Sequence, residues 1–147
     1  MEPCACDKCV SACRRDPGRL VPADLKRIAA LLGIGEDELK REFLVIIPAR
    51  TGHVRFLAPA KIKGRRFLAP PGSLVPDYYA GENGRCVFLT PEGACRVHQA
   101  KPFECAAYLG CRNTFLGRPY KENDVEKFFI SRWRKFQNLV RQTTNEL

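Results

Sequence analysis

The stretch CACDKCVSAC, residues 4–13, brings four cysteines together within ten residues, ahead of any apolar run long enough to build a core. A second stretch, CVFLTPEGACRVHQAKPFECAAYLGC, residues 86–111, carries the other four cysteines of the chain. A reduced thiol is a small apolar side chain, whereas a thiolate is a ligand for metals. Two separated sets of four cysteines in a short chain therefore indicate a metal site, around which we expect the fold to be organised.

Disulfides and inert buried thiols are the two alternatives to metal ligands. Disulfides are typical of secreted proteins, but the N-terminal residues include Asp7, Lys8 and Arg14 where a signal peptide needs an apolar segment. No stretch approaches the ~18 apolar residues of a membrane-spanning helix. We therefore expect a cytoplasmic protein with reduced cysteines. Clustering in two sets also makes eight unrelated inert thiols a weak explanation.

The first cluster has spacings that suit metal coordination. Two residues separate Cys6 from Cys9, which lets both sulfurs wrap one centre, and Cys13 follows a short turn later. Cys4 is close enough to be a fourth ligand, although it lies near a terminus that can fray. The Arg-Arg pair at 14–15 would help to keep these thiols ionised and would offset the negative charge of the site.

The second cluster begins in a predicted hairpin, with strands at 86–89 and 95–97, whose pairing would bring its first two cysteines close together. Its last two, Cys105 and Cys111, flank AAYLG, which has the length of one helical turn with a glycine stop. The candidate ligands of both clusters are Cys4, Cys6, Cys9, Cys13, Cys86, Cys95, Cys105 and Cys111.

The spacing of the first cluster bears on the identity of the metal. Zinc ribbons carry two CxxC knuckles, and only Cys6–Cys9 has this spacing. The uneven intervals of the run are more typical of an iron–sulfur loop, although they match no standard ferredoxin. Formal charge does not discriminate, because a zinc tetrathiolate and an oxidised four-iron cluster with four thiolates carry the same charge. We expect a 4Fe–4S cluster, with zinc as the open alternative.

The rest of the chain predicts a single α+β domain over residues 1–147, long enough for a modest core. We expect a small, irregular, metal-anchored fold with two N-terminal helices, short β-hairpins and a long C-terminal helix. Its predicted parts are a Cys-rich loop at 1–19, helices within 20–45, hairpins with the second cysteine cluster at 46–111, and the C-terminal helix at 122–144.

The predicted helices follow from apolar spacing and from signals at their ends. Pro22 suits a first helical turn and Gly33 a C-terminal stop, which predicts a helix over 22–32. Acidic residues at 36–38 suit a helix N-terminus and predict a second helix over 36–45. The C-terminal helix has apolar residues at 3–4 spacing, which predict a buried stripe of Val125, Phe129, Trp133, Phe136 and Val140.

The middle of the chain predicts a hairpin, because β-branched, aromatic and basic residues between 46 and 74 flank a turn at Gly64. Basic residues between 50 and 66 could follow the phosphates of a nucleic acid, with Phe56 and Phe67 stacking on bases. Alternating basic residues also protect the exposed edge of a hairpin, which is the interpretation we favour. The chain has 25 Lys and Arg against 16 Asp and Glu, a net charge of +9, and this excess favours an acidic partner.

Three side chains near the second cluster have an ordinary and a functional interpretation. His98, on the strand predicted after Cys95, could be a ligand, but we expect a polar strand residue. Tyr108 could take part in proton transfer, but we expect a packing aromatic whose hydroxyl is hydrogen-bonded. Glu104 could support the site or act as a base, but we expect a solvated charge.

The segment GRCVFLTPEGACRVHQAKPFEC, residues 84–105, together with the N-terminal CxxC and the helix PADLKRIAALLGI, resembles the YkgJ-type cysteine cluster proteins. These form the zinc- or iron-chelating CxxCxxCC family, and flagellin lysine N-methylases contain a related region. The likeness covers about residues 4–111. It implies that both cysteine clusters meet in space and that the ligands are Cys6, Cys9, Cys13, Cys86, Cys95 and Cys105.

The chain departs from the family pattern at several positions. The doubled cysteine of the family is reduced to Cys13, with Ala12 beside it, and Ala106 stands where an arginine commonly follows a cysteine. Cys4 and Cys111 are additional to the pattern, and either could replace the missing ligand. These differences bear on the number of ligands more than on metal binding.

Three functions follow as hypotheses. The first is an iron–sulfur protein that serves in electron transfer or forms part of a redox enzyme, with a redox partner to be identified. The second is a zinc-stabilised module that binds a nucleic acid or another protein. The third is a methyltransferase-related enzyme, implied by the likeness to N-methylases, although the sequence lacks a glycine-rich nucleotide-binding motif.

Overall fold

The computed structural model describes residues 17–50, 53–75, 84–92, 94–109 and 113–140. These residues form four α-helices and eight short strands in small antiparallel sheets, so the predicted α+β class is confirmed. The predicted loop at 1–19 lies outside them except for its last three residues, and so do five of the eight candidate ligands: Cys4, Cys6, Cys9, Cys13 and Cys111. That the whole chain forms one domain stays a prediction.

Helix α1, Pro22–Leu32, has the predicted bounds. Asp24 in its first turn accepts a hydrogen bond from the backbone N–H of Val21 at 2.9 Å, which satisfies a donor at the helix N-terminus. Gly33 ends the helix in the left-handed region, at φ 71°, which a residue without Cβ adopts at little cost. Its buried face consists of Asp24, Leu25, Ile28 and Ala29.

Helix α2, Glu36–Phe43, ends two residues earlier than predicted, because strand β1, Leu44–Pro48, begins there. Strand β1 pairs with β2, Arg55–Pro59, in an antiparallel hairpin that the sequence analysis did not predict. The run LVIIP is apolar without clear periodicity, and β-branched residues in such a run favour a strand. The hairpin is buried on both faces over residues 44–47 and forms the centre of the core.

A second small sheet contains the turn predicted at Gly64. Strand β3, Lys61–Lys63, pairs with β4, Arg66–Phe67, and Gly64 lies between them at φ 66°. On its other side, β3 pairs with β5, Arg85–Cys86. The predicted hairpin at 46–74 is therefore confirmed in its second half, from β3 to β4.

The hairpin predicted around the first two cysteines of the second cluster is present only next to its turn. Leu89 and Cys95 form an antiparallel bridge there, and the backbone N–H of Arg96 donates to the Phe88 carbonyl at 2.7 Å. The backbone of Cys86 pairs with Lys61 of β3 instead. A backbone that already pairs with β3 has fewer groups left for a local partner. His98 lies exposed in a 3₁₀-helix, His98–Ala100, rather than on a strand.

Helix α3, Phe103–Ala107, carries Cys105 in its middle, and it leads into a third sheet. The order of this sheet is β6, Tyr108–Leu109, then β7, Thr114–Phe115, then β8, Arg118–Pro119. The turn of helix predicted between the last two cysteines is thus a helix that ends two residues after Cys105.

Helix α4, Glu122–Trp133, is shorter than the predicted helix at 122–144. A 3₁₀-helix follows over Arg134–Val140, and Phe136 leaves helical geometry at φ −125°. This kink turns Phe136 outward to 44% exposure, which contradicts its predicted place in the buried stripe, whereas Val125, Phe129, Trp133 and Val140 are buried. No helix within the described ranges is long and apolar enough to span a bilayer.

Candidate metal centre

Three of the eight candidate ligands are described, and all three are thiols rather than disulfides. Cys86 is buried in β5, at 6% exposure. Cys95 is half-buried opposite Leu89, and Cys105 is half-buried in α3. Partial burial suits thiolates that bind a metal, because exclusion of water strengthens the bond between ion and ligand.

These three thiols do not form a complete site by themselves. Across residues 17–50, 53–75, 84–92, 94–109 and 113–140, no group of three or more His, Cys, Asp or Glu side chains is arranged to hold a metal ion. A site that includes Cys86, Cys95 or Cys105 would therefore need ligands from residues outside these ranges.

Cys105 has the surroundings of a metal thiolate. The backbone N–H of Gly18 donates a hydrogen bond to its sulfur at 3.2 Å. A Cβ on Gly18 would lie 2.5 Å from this sulfur and 2.6 Å from the Cys105 backbone nitrogen, so only glycine permits the approach. An N–H group aimed at sulfur stabilises the negative thiolate over the neutral thiol. Thiolate sulfur is a soft donor that suits zinc or an iron–sulfur cluster.

Arg19 and Glu104 hold the backbone beside Cys105 in place. The backbone N–H and the Nε of Arg19 both donate to Oε1 of Glu104 at 2.8 Å, and Nη2 donates to Oε2 at 2.8 Å. The backbone N–H of Glu104 returns a bond to the Arg19 carbonyl at 3.2 Å. The prediction that Glu104 is solvated is therefore wrong: it is 9% exposed, because Arg19 compensates its charge inside the protein.

Two further side chains complete this cluster, which we call the Arg19 network. Nη1 of Arg19 donates to Glu122 at 3.0 Å, the Tyr120 hydroxyl donates to Glu122 at 2.5 Å, and its oxygen lies 3.4 Å from Oε2 of Glu104. Burial lowers the pKa of Arg19, but its hydrogen bonds and charge interactions with Glu104 and Glu122 outweigh burial and raise it, so Arg19 stays charged. The network consists of Arg19, Glu104, Tyr120 and Glu122.

The next residue along the chain anchors the same segment to the core. The backbone N–H of Leu20 donates to Leu57 of β2 at 2.9 Å, and the Leu20 carbonyl accepts from the Trp133 indole at 2.7 Å. Arg19 also lies over the ring of Phe129, 5.1 Å from its centroid. The residues that directly follow the N-terminal cysteine cluster are therefore fixed against α3, β2 and α4.

The Tyr120 phenol makes the stability of the fold sensitive to pH in the alkaline range. Burial, followed by the charge of Glu104 and the hydrogen bond to Glu122, raises the pKa of Tyr120 above that of a free phenol. The unfolded chain releases this proton near pH ~10, while the folded chain retains it. Stability is thus fully present below about pH 10 and falls as the pH rises through the folded-state pKa.

We expect the loss of stability between about pH 8 and about pH 11 to be smaller in Tyr120→Phe than in the wild type. Urea unfolding at both pH values measures it. Equal losses in the two proteins would contradict the assignment, since the other tyrosines and the lysines titrate in both.

That five residues would act as a unit was not predicted from the sequence: Gly18, Arg19, Glu104, Tyr120 and Glu122. Arg19 and Glu104 are 85 residues apart, and no local spacing relates residues at such a distance. The one sequence signal is the cysteine that follows Glu104, which marks the neighbourhood but not the partner.

The predictions for three aromatic side chains have different outcomes. Tyr108 is a packing aromatic, as predicted: its ring contacts Tyr120 edge-on at 5.3 Å and its hydroxyl donates to Asn113 at 3.2 Å. Phe56 is 1% exposed and packs on Phe129, which excludes it as a base-stacking residue in the less favoured nucleic-acid interpretation. Phe67 is 41% exposed on the basic hairpin and remains accessible.

Comparison with known proteins agrees with a cysteine-based site. A family model described as "Putative zinc- or iron-chelating domain" matches residues 5–127, most of the chain. The protein is therefore of the class of cysteine-rich domains that chelate zinc or iron. The chain belongs to the CxxCxxCC family. The searches of curated proteins and of solved structures found no match.

Proposed function

We propose that the protein binds a 4Fe–4S cluster through thiolates of both cysteine clusters and serves in electron transfer or as part of a redox enzyme in the cytoplasm. The observation that carries the proposal is the hydrogen bond from the Gly18 N–H to the Cys105 sulfur at 3.2 Å. It relates the end of the N-terminal segment, which is rich in cysteines, to a cysteine of the second cluster.

Chain length supports a meeting of the two clusters. Cys13 precedes Gly18 by five residues, which span at most about 18 Å when fully extended. Because Gly18 contacts Cys105, this span allows the sulfur of Cys13 to lie close to the sulfur of Cys105. The proposed ligands are those that the family resemblance implies, Cys6, Cys9, Cys13, Cys86, Cys95 and Cys105, with Cys4 and Cys111 as additional candidates.

The residues around Cys105 would suit a bound cluster. An iron–sulfur cluster supplies one-electron transfer at a potential that the protein sets through hydrogen bonds, charge and burial. The Gly18 N–H reduces the negative charge on sulfur, and the Arg19 network holds that N–H at hydrogen-bonding distance. Because Arg19 is paired with two carboxylates, the network stiffens the site without adding positive charge to it.

Metal and acid-labile sulfide analysis with a visible spectrum tests this proposal on protein purified without oxygen. Brown protein with iron and sulfide in stoichiometric amounts is the expected result. Colourless protein with stoichiometric zinc and no sulfide would overturn the iron–sulfur assignment and leave the thiols as a structural site.

Serine substitutions test the ligand assignment. We expect Cys9→Ser and Cys95→Ser each to lose metal and thermal stability together, because ligand binding contributes to folding at such sites. Cys111→Ser is the comparison, and we expect a milder loss. Metal content per chain and melting temperature measure both effects; full metal in Cys9→Ser and Cys95→Ser would exclude these residues as ligands.

The exposed basic hairpin favours a second candidate, a zinc-stabilised module that binds nucleic acid. Lys63, Arg65 and Arg66 are exposed on and beside β4, next to the accessible ring of Phe67. Retention on a polyanion column that decreases steeply with salt is the expected behaviour of such a module. Elution below physiological salt would exclude it.

A further inference from the structure

An open groove of about 680 Å³ lies between α1, α3 and the C-terminal part of the chain. Its lining includes Pro22 from α1, Phe103 and Ala106 from α3, and Phe128 from α4. The volume falls within the range of about 300–1,000 Å³ that is typical of sites for small molecules. Among the described residues, neither the three cysteines nor the Arg19 network contributes a side chain to this lining.

The lining is predominantly apolar and includes accessible rings. Phe103 and Phe128 are stacked, with centroids 5.2 Å apart and planes 16° from parallel. Leu116 and Phe136, which also line the groove, are each 44% exposed. They are two of the five large apolar side chains that are exposed among the described residues. Exposed apolar side chains that line one groove indicate a ligand with an apolar body.

The charges at the groove favour an anion. Asp24 is fully buried; it accepts hydrogen bonds from the backbone N–H groups of Val21 and Phe103 and forms an ion pair with Arg27. Arg132 lies over the ring of Phe128, 4.9 Å from its centroid. In the described part of the chain, no carboxylate lies within ion-pair distance of Arg132. Within the described residues, the groove therefore presents one guanidinium, that of Arg132, without a carboxylate partner.

We propose that this groove binds a small amphipathic monoanion, an aromatic or medium-chain aliphatic carboxylate. The apolar body of the ligand packs against the Phe103–Phe128 pair and against Leu116 and Phe136. Its carboxylate pairs with Arg132, whose planar guanidinium suits two-point recognition of carboxylates. The site shares α3 with Cys105 but uses other side chains, so the proposal stands independently of the bound metal.

Fluorescence titration with anilinonaphthalene sulfonate, an aromatic monoanion, tests the site in the full-length protein. We expect saturable binding with one site per chain, displacement by decanoate, and weakening as salt increases. Arg132→Gln should raise the dissociation constant of the probe about tenfold, which corresponds to about 1.4 kcal/mol, near the lower end of what a hydrogen bond to a charged group contributes. Phe136→Ala should raise it roughly threefold or more, and because Phe136 is exposed the variant keeps the fold.

Two variants on the exposed basic hairpin, outside the groove, serve as controls. Arg66→Gln and Phe67→Ala remove an exposed arginine and a ring that is 41% exposed, both on β4 and outside the groove. We expect unchanged dissociation constants in these two. Equal weakening in control and groove variants, a titration that does not saturate, or unchanged binding by both groove variants would overturn the proposal. Saturable binding that decanoate does not displace would overturn the carboxylate assignment.

Discussion

Glu104→Ala is expected to lower the free energy of unfolding by about 3–5 kcal/mol, the usual cost of removing one partner from a buried ion pair. The side chains of Arg19 and Glu104 are 10% and 12% exposed. Removal of the carboxylate leaves the guanidinium in the interior and takes away three hydrogen bonds, one of which holds the Arg19 backbone. Glu122 remains as a partner of Arg19, which places the expected loss toward the lower end of the range.

Urea unfolding of the metal-free proteins measures this effect without a contribution from ligand binding. Glu122→Ala is the matched control, because it removes a carboxylate from the same arginine at a side chain that is 37% exposed. We expect it to cost about 1 kcal/mol or less. Similar losses in the two variants would show that the burial of Glu104 does not set its contribution.

Gly18→Ala is the second change with a large expected effect. The added Cβ would lie 2.5 Å from the Cys105 sulfur and 2.6 Å from the Cys105 backbone nitrogen. The nitrogen cannot move without α3, and the sulfur is only one rotatable bond from the backbone, so the backbone at 17–20 must move away from α3. We expect a loss of about 1–3 kcal/mol in stability, typical of overpacking, and loss of the hydrogen bond to sulfur. On the proposed function, the metal content falls as well.

Gly35→Ala is the control, because a Cβ there meets no atom within 4 Å and the φ of Gly35 is −77°, which alanine adopts freely. We expect it to cost less than about 1 kcal/mol, as a change at a helix N-cap, and to leave metal content unchanged. Urea unfolding and metal analysis of both variants measure the two effects. Full metal content in Gly18→Ala would contradict a role of the Gly18–Cys105 contact in metal binding.

Residues that start or end an element, and the spacing of apolar residues, predicted parts of the fold correctly. Pro22 and Gly33 mark the two ends of α1, and Gly64 marks the turn between β3 and β4. The apolar spacing of α4 identified Phe129 and Trp133 as core residues. It failed at Phe136, because the spacing assumes a helix that continues, whereas the chain kinks after Trp133.

Long-range pairing was beyond local signals. The backbone of Cys86 pairs with Lys61 of β3 rather than with the nearby strand that was predicted. The hairpin of β1 and β2 arises from a short apolar run whose periodicity alone does not distinguish a helix from a strand. Glu104 was predicted to be solvated because its partner, Arg19, is 85 residues away and no local pattern relates the two. The cysteines in the sequence predicted the class of site, whereas the side chains that position Cys105 could be identified only from the structure.

The bond between Leu20 and Trp133 has a consequence for biosynthesis, because it spans 113 residues. On a ribosome that adds about 5–20 residues per second, the segment at 17–20 emerges roughly 6–20 seconds before α4, on which it depends. The thiols at 4–13 are therefore synthesised before the helix that holds residues 17–20 in place. If they bind a metal as proposed, its delivery follows the synthesis of α4, and the nascent thiols need protection from oxidation until then.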